Sequence, residues 1–269
     1  MTQHTSPEKI SEMYDSPEGQ LGPMLFGGDF HWGYWDESNI NGTFANASDR
    51  LTQEMIKLTD IQSGQRFCDI GCGVGSPGLK LVSARDCYLD GITISSFQQK
   101  DATRRAQEAG LQDNARFFHG NAIELPWEDQ SYDGGWFFES IFHMGHEKAL
   151  SEAGRVLKPG ASIVLADLPL LPHTTREFIE FAGKHIQSYF VELGDYESLM
   201  ANAGFELESI DDVSKNVMPL LGPKLAEAID LHRDDVLKVV DEKAIDDWIY
   251  LFEYMSENLG YMLVKARKR

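Results

Sequence analysis

The stretch "RFCDIGCGVGSPGLKLVSAR", residues 66–85, constrains the fold more than any other part of the chain. A short apolar run ends in an acidic residue, Asp69. Glycines follow at 71, 73 and 75, and a helical pattern then starts with Pro77 in its first turn, where a missing N–H costs nothing. Such a stretch reads as strand, tight turn and helix. Its bare backbone can approach a ligand closely, and the loop and helix N-terminus can receive a carboxylate or other anion.

The chain downstream supplies matching units. "CYLDGITI" predicts a second strand, "SSFQQKDATRRAQEAG" a helix capped by Ser95 or Ser96 and stopped at Gly110, "ARFFHG" a third strand and "DGGWFFES" a fourth. "HEKALSEAGRVLKPG" predicts a helix closed by Pro-Gly, and "SIVLADL" a fifth strand. This alternation gives a parallel sheet covered on both faces. Beyond Pro169 it stops. "TTREFIEFAGKHIQSYFVE" reads as a helical cap, "DYESLMANAGF" as helix then glycine, "ELESI" as a strand, and "DEKAIDDWIYLFEYMSENLG" as a helix with a normal core stripe. "YMLVKARK" alternates as a final strand.

Gly73-Val-Gly75-Ser-Pro-Gly78 also matches the G-x-G-x-x-G of a dinucleotide fold, which would make the chain a nicotinamide oxidoreductase. Asp69 argues against it, because a carboxylate repels a pyrophosphate and suits an ammonium. The next strand ends "GITIS", without the acid expected on a nicotinamide ribose.

Five segments in order carry a resemblance: "FCDIGCGVGSPGLKL", "GITISSFQ", "GNAIELPWEDQSYDGGWFFESIFHM", "EAGRVLKPGASIVLAD" and "LGYMLVKARK". Together they resemble the class I S-adenosyl-L-methionine (SAM)-dependent methyltransferases, in the small-molecule branch of natural-product, sterol and cyclopropane-forming enzymes. The resemblance runs from about Tyr14 to the end and is weakest between Pro169 and Trp248. It implies an α/β, Rossmann-like seven-stranded mixed sheet with an antiparallel last strand and helices on both faces. An N-terminal lid over residues 1–60 and a helical cap inserted around 170–195 would complete a core over 61–269.

The resemblance implies that Asp69 and Gly71 hold the methionine part of SAM while Gly73 and Gly75 shape the loop. Gln98 would contact the ribose, with Thr93 standing where many relatives carry the ribose acid. Ala122 and Leu125 or Trp127 would lie by the adenine, and Asn121 replaces the usual aspartate. The Asn121 amide oxygen can still accept a hydrogen bond. Tyr14, beside Asp15 in a leading helix, and Trp35, in "GGDFHWGYW", would wall the cofactor. His31, Tyr34, Trp35, Phe142 and His143 would face the acceptor, their rings shielding the sulfonium. The product would be S-adenosyl-L-homocysteine.

Methyl transfer needs alignment, exclusion of water and a base where the acceptor carries a proton. The candidates are His143, Glu139 and Asp167; the two carboxylates fall near C-terminal strand ends, where open α/β sheets bind ligands. O-, N- and C-methylation in secondary metabolism stay open, and a cyclase that keeps SAM without consuming it is the rival. Glu139, His143, His146 and Glu147 mimic metal spacing, but the resemblance supplies no metal.

A net charge of −19 weighs against a nucleic-acid partner. No apolar run spans a membrane and no leader is visible, so the reading is a cytoplasmic protein. Its partner is a small-molecule acceptor, with a homodimer left open. Cys68, Cys72 and Cys87 read as small buried hydrophobes.

Overall fold

The computed structural model describes residues 6–269. Seven strands form one sheet: β1 (Arg66–Ile70), β2 (Tyr88–Thr93), β3 (Ala115–His119), β4 (Tyr132–Phe138), β5 (Leu157–Asp167), β6 (Phe205–Asp212) and β7 (Met262–Lys268). Their order is β3-β2-β1-β4-β5-β7-β6. β1 to β5 pair in parallel, and β7 runs antiparallel to both β5 and β6, as the resemblance implies.

The central strands are buried on both faces, so they read as nearly continuous apolar runs. Alternate residues feed two cores. Phe67, Trp136, Val164 and Leu263 point to one; Cys68, Phe137, Leu165 and Val264 point to the other. Each large side chain buried this way contributes roughly 1.5–3 kcal/mol. The strand order reverses between β1 and β4, which opens a crevice at their C-terminal ends.

The longer helices are α1 (Pro7–Asp15), α2 (Phe44–Leu58), α3 (Ser76–Arg85), α4 (Ser96–Glu108), α5 (His146–Val156), α6 (Arg176–His185), α7 (Tyr196–Asn202), α8 (Leu221–Leu231) and α9 (Glu242–Asn258). Their starts follow capping chemistry. Ser6, Thr43, Ser95, Thr175 and Asp241 each accept a hydrogen bond from a first-turn N–H.

Three differences from the sequence reading concern boundaries. Lys158-Pro159-Gly160 belongs to β5 rather than to the helix before it. The cap helix expected over 174–192 ends at His185, and the chain then turns at Gln187, whose φ is +48°. A second helical stretch, including α8, lies between β6 and β7, where α8 packs on α9 and α2. Helices outside the strand–helix alternation therefore come from two chain segments, and Phe252 of α9 meets Phe26 and Trp32.

Candidate active site

The crevice holds a cavity of about 320 Å³. Asp69, Gly71 and Gly73 come from the β1 turn, Thr93 and Gln98 from the end of β2 and the start of α4, and Asn121 and Ala122 from the β3 turn. Glu139 and His143 follow β4, while Tyr14 and His31 reach in from the N-terminal segment. Eleven expected site residues therefore meet at one cavity, drawn from six chain segments.

The glycine turn is built for close approach. Gly71 has φ +86°, and a Cβ there would sit 2.4 Å from Ser140 Cβ. Gly75 caps α3 with φ +77°, and its Cβ would meet the Phe117 ring at 2.7 Å. The Gly71 and Cys72 N–H groups are spent on the Ile92 carbonyl, both at 2.9 Å. Gly75 lies behind the cavity wall and shapes the helix start.

Asp69 is 2% exposed, and its Oδ2 has no hydrogen-bond partner among the described residues. Burial pushes its carboxyl up to about 7, opposed only in part by the Trp136 indole, which closes no hydrogen bond of normal geometry. An orphaned buried carboxylate oxygen is costly, and an ammonium group beside it would remove the cost. Thr93 Oγ1 donates to Gln98 Oε1 at 2.7 Å, which commits the amide oxygen and leaves the Gln98 amide N–H groups as donors. Asn121 Oδ1 accepts from the Ile123 N–H at 3.2 Å and keeps one further lone pair. This donor and acceptor set fits the amino-acid and ribose parts of SAM.

His143 is buried. Its Nδ1 lies 3.0 Å from the Gln187 carbonyl and 3.2 Å from Ser188 Oγ, and its Nε2 lies 2.9 Å from Tyr14 Oη. A carbonyl only accepts, so Nδ1 carries the proton and Nε2 offers its lone pair to the Tyr14 hydroxyl. Burial pushes the imidazole down to about 4, keeping it neutral near pH 7. Glu139 has φ +47°, and its Oε1 accepts from the Trp32 N–H at 2.9 Å and from Tyr261 Oη at 2.5 Å. Burial raises its carboxyl to about 8, against those hydrogen bonds.

Six expected site residues lie off the cavity wall; Gly75 is the first, and the structure corrects the reading of the others. Asp167, the last residue of β5, is fully buried and accepts from Tyr196 Oη at 2.6 Å, His146 Nε2 at 2.7 Å and the Leu168 N–H at 2.9 Å. Burial alone would raise its pKa, but His146 and these bonds hold it low; its oxygens are taken by these partners and it does not line the cavity. Trp35 is 2% exposed and packs edge-on to Phe44, its backbone bonded to Asn216. Tyr34 turns to Arg50 at the surface. Leu125 belongs to the second core, with Trp127 packed against it on Tyr132. Phe142 stands behind His143, between it and Phe190. Of the aromatic stretch before α2, Phe30 and His31 face the cavity, while Trp32 and Trp35 anchor the segment to the core.

Sequence reasoning missed four contributors. Asp15 accepts from Ser95 Oγ, from Ser96 Oγ at 3.2 Å and from the Phe97 N–H at 3.2 Å, fastening α1 across the start of α4. The Tyr-Asp pair was its visible signal. Gln187, Tyr189 and Tyr261 carried none. Among the described residues no group of three or more His, Cys, Asp or Glu side chains could hold a metal ion.

The chain is 34% identical to the 27-O-demethylrifamycin SV methyltransferase of Amycolatopsis mediterranei (strain S699), covering 100% of this chain and 99% of that protein. It belongs to the class I SAM-dependent methyltransferases. The methyltransferase is also 31% identical to the (+)-O-methylkolavelool synthase of Herpetosiphon aurantiacus, covering 96% of this chain and 93% of that one. The methyltransferase-domain family matches residues 67–160, the part that holds β1 to the start of β5. Among solved structures, the methyltransferase resembles the 4+2 cyclase SpnF with a TM-score of 0.83 and 27% identity, covering 98% of this chain and 97% of SpnF. The methyltransferase uses SAM to methylate a small-molecule acceptor, in the company of secondary-metabolism enzymes. No helix among the described residues is long and apolar enough to cross a membrane.

Proposed function

We propose that this enzyme methylates a hydroxyl oxygen on an apolar secondary metabolite, with His143 as general base. The observation that carries the reading is the neutral His143 imidazole, its Nε2 lone pair turned to the cavity beside Tyr14. When bound, SAM supplies an electrophilic methyl on a sulfonium. Asp69 holds the ammonium, Gly71 and Gly73 let the backbone come close, Gln98 binds the ribose, and Asn121 and Ala122 border the adenine.

His143 Nε2 would take the proton of the acceptor hydroxyl, directly or across Tyr14 Oη, while bound SAM would supply the methyl and, its carbon–sulfur bond broken, leave as S-adenosyl-L-homocysteine. The buried His31 and Phe138, with the half-buried Phe30, exclude water from the site, and Ile10 and Tyr189 make the mouth apolar. Glu139 ties the N-terminal segment to β7 through Trp32 and Tyr261 and leaves its second oxygen for the ligand. A neutral imidazole suits a hydroxyl, and of the two relatives above one is named for an O-demethyl substrate and the other for an O-methyl product.

Three free, buried thiols support a reducing, cytoplasmic setting, and the charge of −19 supports a partner other than nucleic acid. A homodimer stays part of this proposal for sedimentation to check. The SpnF likeness favours one rival, a cyclase that leaves SAM intact. Incubation with methyl-labelled SAM and a panel of hydroxylated terpenoids and polyketides separates the two by mass spectrometry. Label on oxygen is expected, with a loss of about 10²–10⁴-fold in turnover for His143→Gln. A consumed acceptor without label would establish the cyclase, and wild-type turnover in His143→Gln would remove the base.

A further inference from the structure

Gln187 occupies the left-handed backbone region at φ +48° although it carries a side chain. Such residues persist only where their surroundings hold them. Here the restraints are visible on every side. The Gln187 side-chain amide donates to the last carbonyls of α6, Gly183 at 3.3 Å and Lys184 at 3.0 Å. Tyr189, two residues on, donates its N–H to the Phe142 carbonyl at 2.8 Å. Ser188 is 2% exposed and donates its hydroxyl to the Ile186 carbonyl at 2.9 Å, so its oxygen is free to accept from His143.

The consequence falls on the imidazole. The turned peptide aims the Gln187 carbonyl at Nδ1, and the Ser188 oxygen sits beside it. Both partners are acceptors, so each favours a proton on Nδ1 and none on Nε2. Among the described residues the hydrogen-bond partners at Nδ1 are this carbonyl and hydroxyl, while Asp167 is committed to His146 and Tyr196.

We infer that the Gln187–Ser188 turn is the positioning element that keeps His143 in its Nδ1–H tautomer, with the proton off Nε2, the nitrogen that meets the Tyr14 hydroxyl at the cavity. Gln187 suits the position because its amide caps α6 while its carbonyl reaches the ring. This inference rests on His143 being the base. A ring held in the wrong tautomer loses its function even with its position unchanged.

The experiment records ¹⁵N spectra of the His143 imidazole in the full-length wild type, Gln187→Val and Gln187→Gly, together with steady-state kinetics. The wild type is expected as the Nδ1–H form. Gln187→Val, β-branched and unsuited to positive φ, should move the ring toward the Nε2–H form. Its kcat should fall by about tenfold or more while KM for SAM changes by less than about threefold. Gln187→Gly should keep the tautomer and most of kcat. A wild-type ring in the Nε2–H form overturns the inference, even if Gln187→Val does not fold. So does a Gln187→Val protein with native tautomer and native kcat. Wild-type turnover in His143→Gln would instead remove the base reading, while the spectra still decide what holds the ring.

Discussion

Asp15→Ala should unfasten the N-terminal helix without unfolding the enzyme. Its carboxylate accepts three hydrogen bonds, from Ser95 Oγ, Ser96 Oγ and the Phe97 N–H, at the positive end of α4. Buried charge-assisted bonds contribute roughly 1.5–3 kcal/mol each, but Asp15 is only half-buried and water can replace it at all three donors. The lower range for exposed groups therefore applies, and the set amounts to about 1–2 kcal/mol. That is a factor of roughly 5–30 in the population with α1 closed. Tyr14 rides on the same helix, so SAM affinity should fall by a similar factor. Hydrogen exchange would report it as faster amide exchange over residues 7–15 with α5 unchanged. There is a pH corollary. Burial alone would raise the Asp15 pKa, but the bonds from Ser95, Phe97 and Ser96 hold it below the usual carboxylate range. A lowered pKa means the tether is complete above the ordinary carboxylate value and is lost as pH falls through the lowered one. Unchanged exchange in α1 together with unchanged SAM binding would refute the reasoning.

The remaining predictions address the cavity wall and Asp167. SAM affinity should rise with pH through about 7 as Asp69 ionises, and binding below that pH should release a proton, visible by calorimetry in buffers of different ionisation enthalpy. A flat pH profile would remove Asp69 from the ammonium site. Gly71→Ala should abolish SAM binding, because the added Cβ meets Ser140 at 2.4 Å on a positive-φ backbone; retained binding would show that the turn yields. Asp167→Ala should destabilise the fold by roughly 3–5 kcal/mol, since His146 and Tyr196 lose their buried partner. Denaturant titration measures it, and the protein that remains folded should keep its kcat. A large loss of kcat there would return Asp167 to the chemistry.

The sheet, the glycine turn and much of the cavity wall were legible in the sequence because each is a local pattern. Asp69, Gly71, Thr93, Gln98 and Asn121 sit at fixed offsets from strand ends, and a parallel sheet brings all such ends to one edge. What sequence could not distribute was the aromatic and acidic residues. Trp35 and Phe30 belong to one short stretch and have similar chemistry, yet one packs on Phe44 and the other faces the cavity. Asp167 and Glu139 end neighbouring strands, yet one is taken by His146 and Tyr196 and the other lines the site.

The sequence by itself determined the order of strands and helices, the position of the ligand loop and the type of cofactor, because backbone geometry and short-range capping encode them. The tertiary structure alone decided which ring lines the cavity, which carboxylate stands at its wall and which nitrogen of His143 faces the Gln187 carbonyl. Those outcomes depend on contacts between residues far apart in the chain. Tyr14 and His143 stand 129 positions apart, and Glu139 and Tyr261 stand 122 apart. No periodicity in the chain records such a meeting; only the packed tertiary structure brings it about.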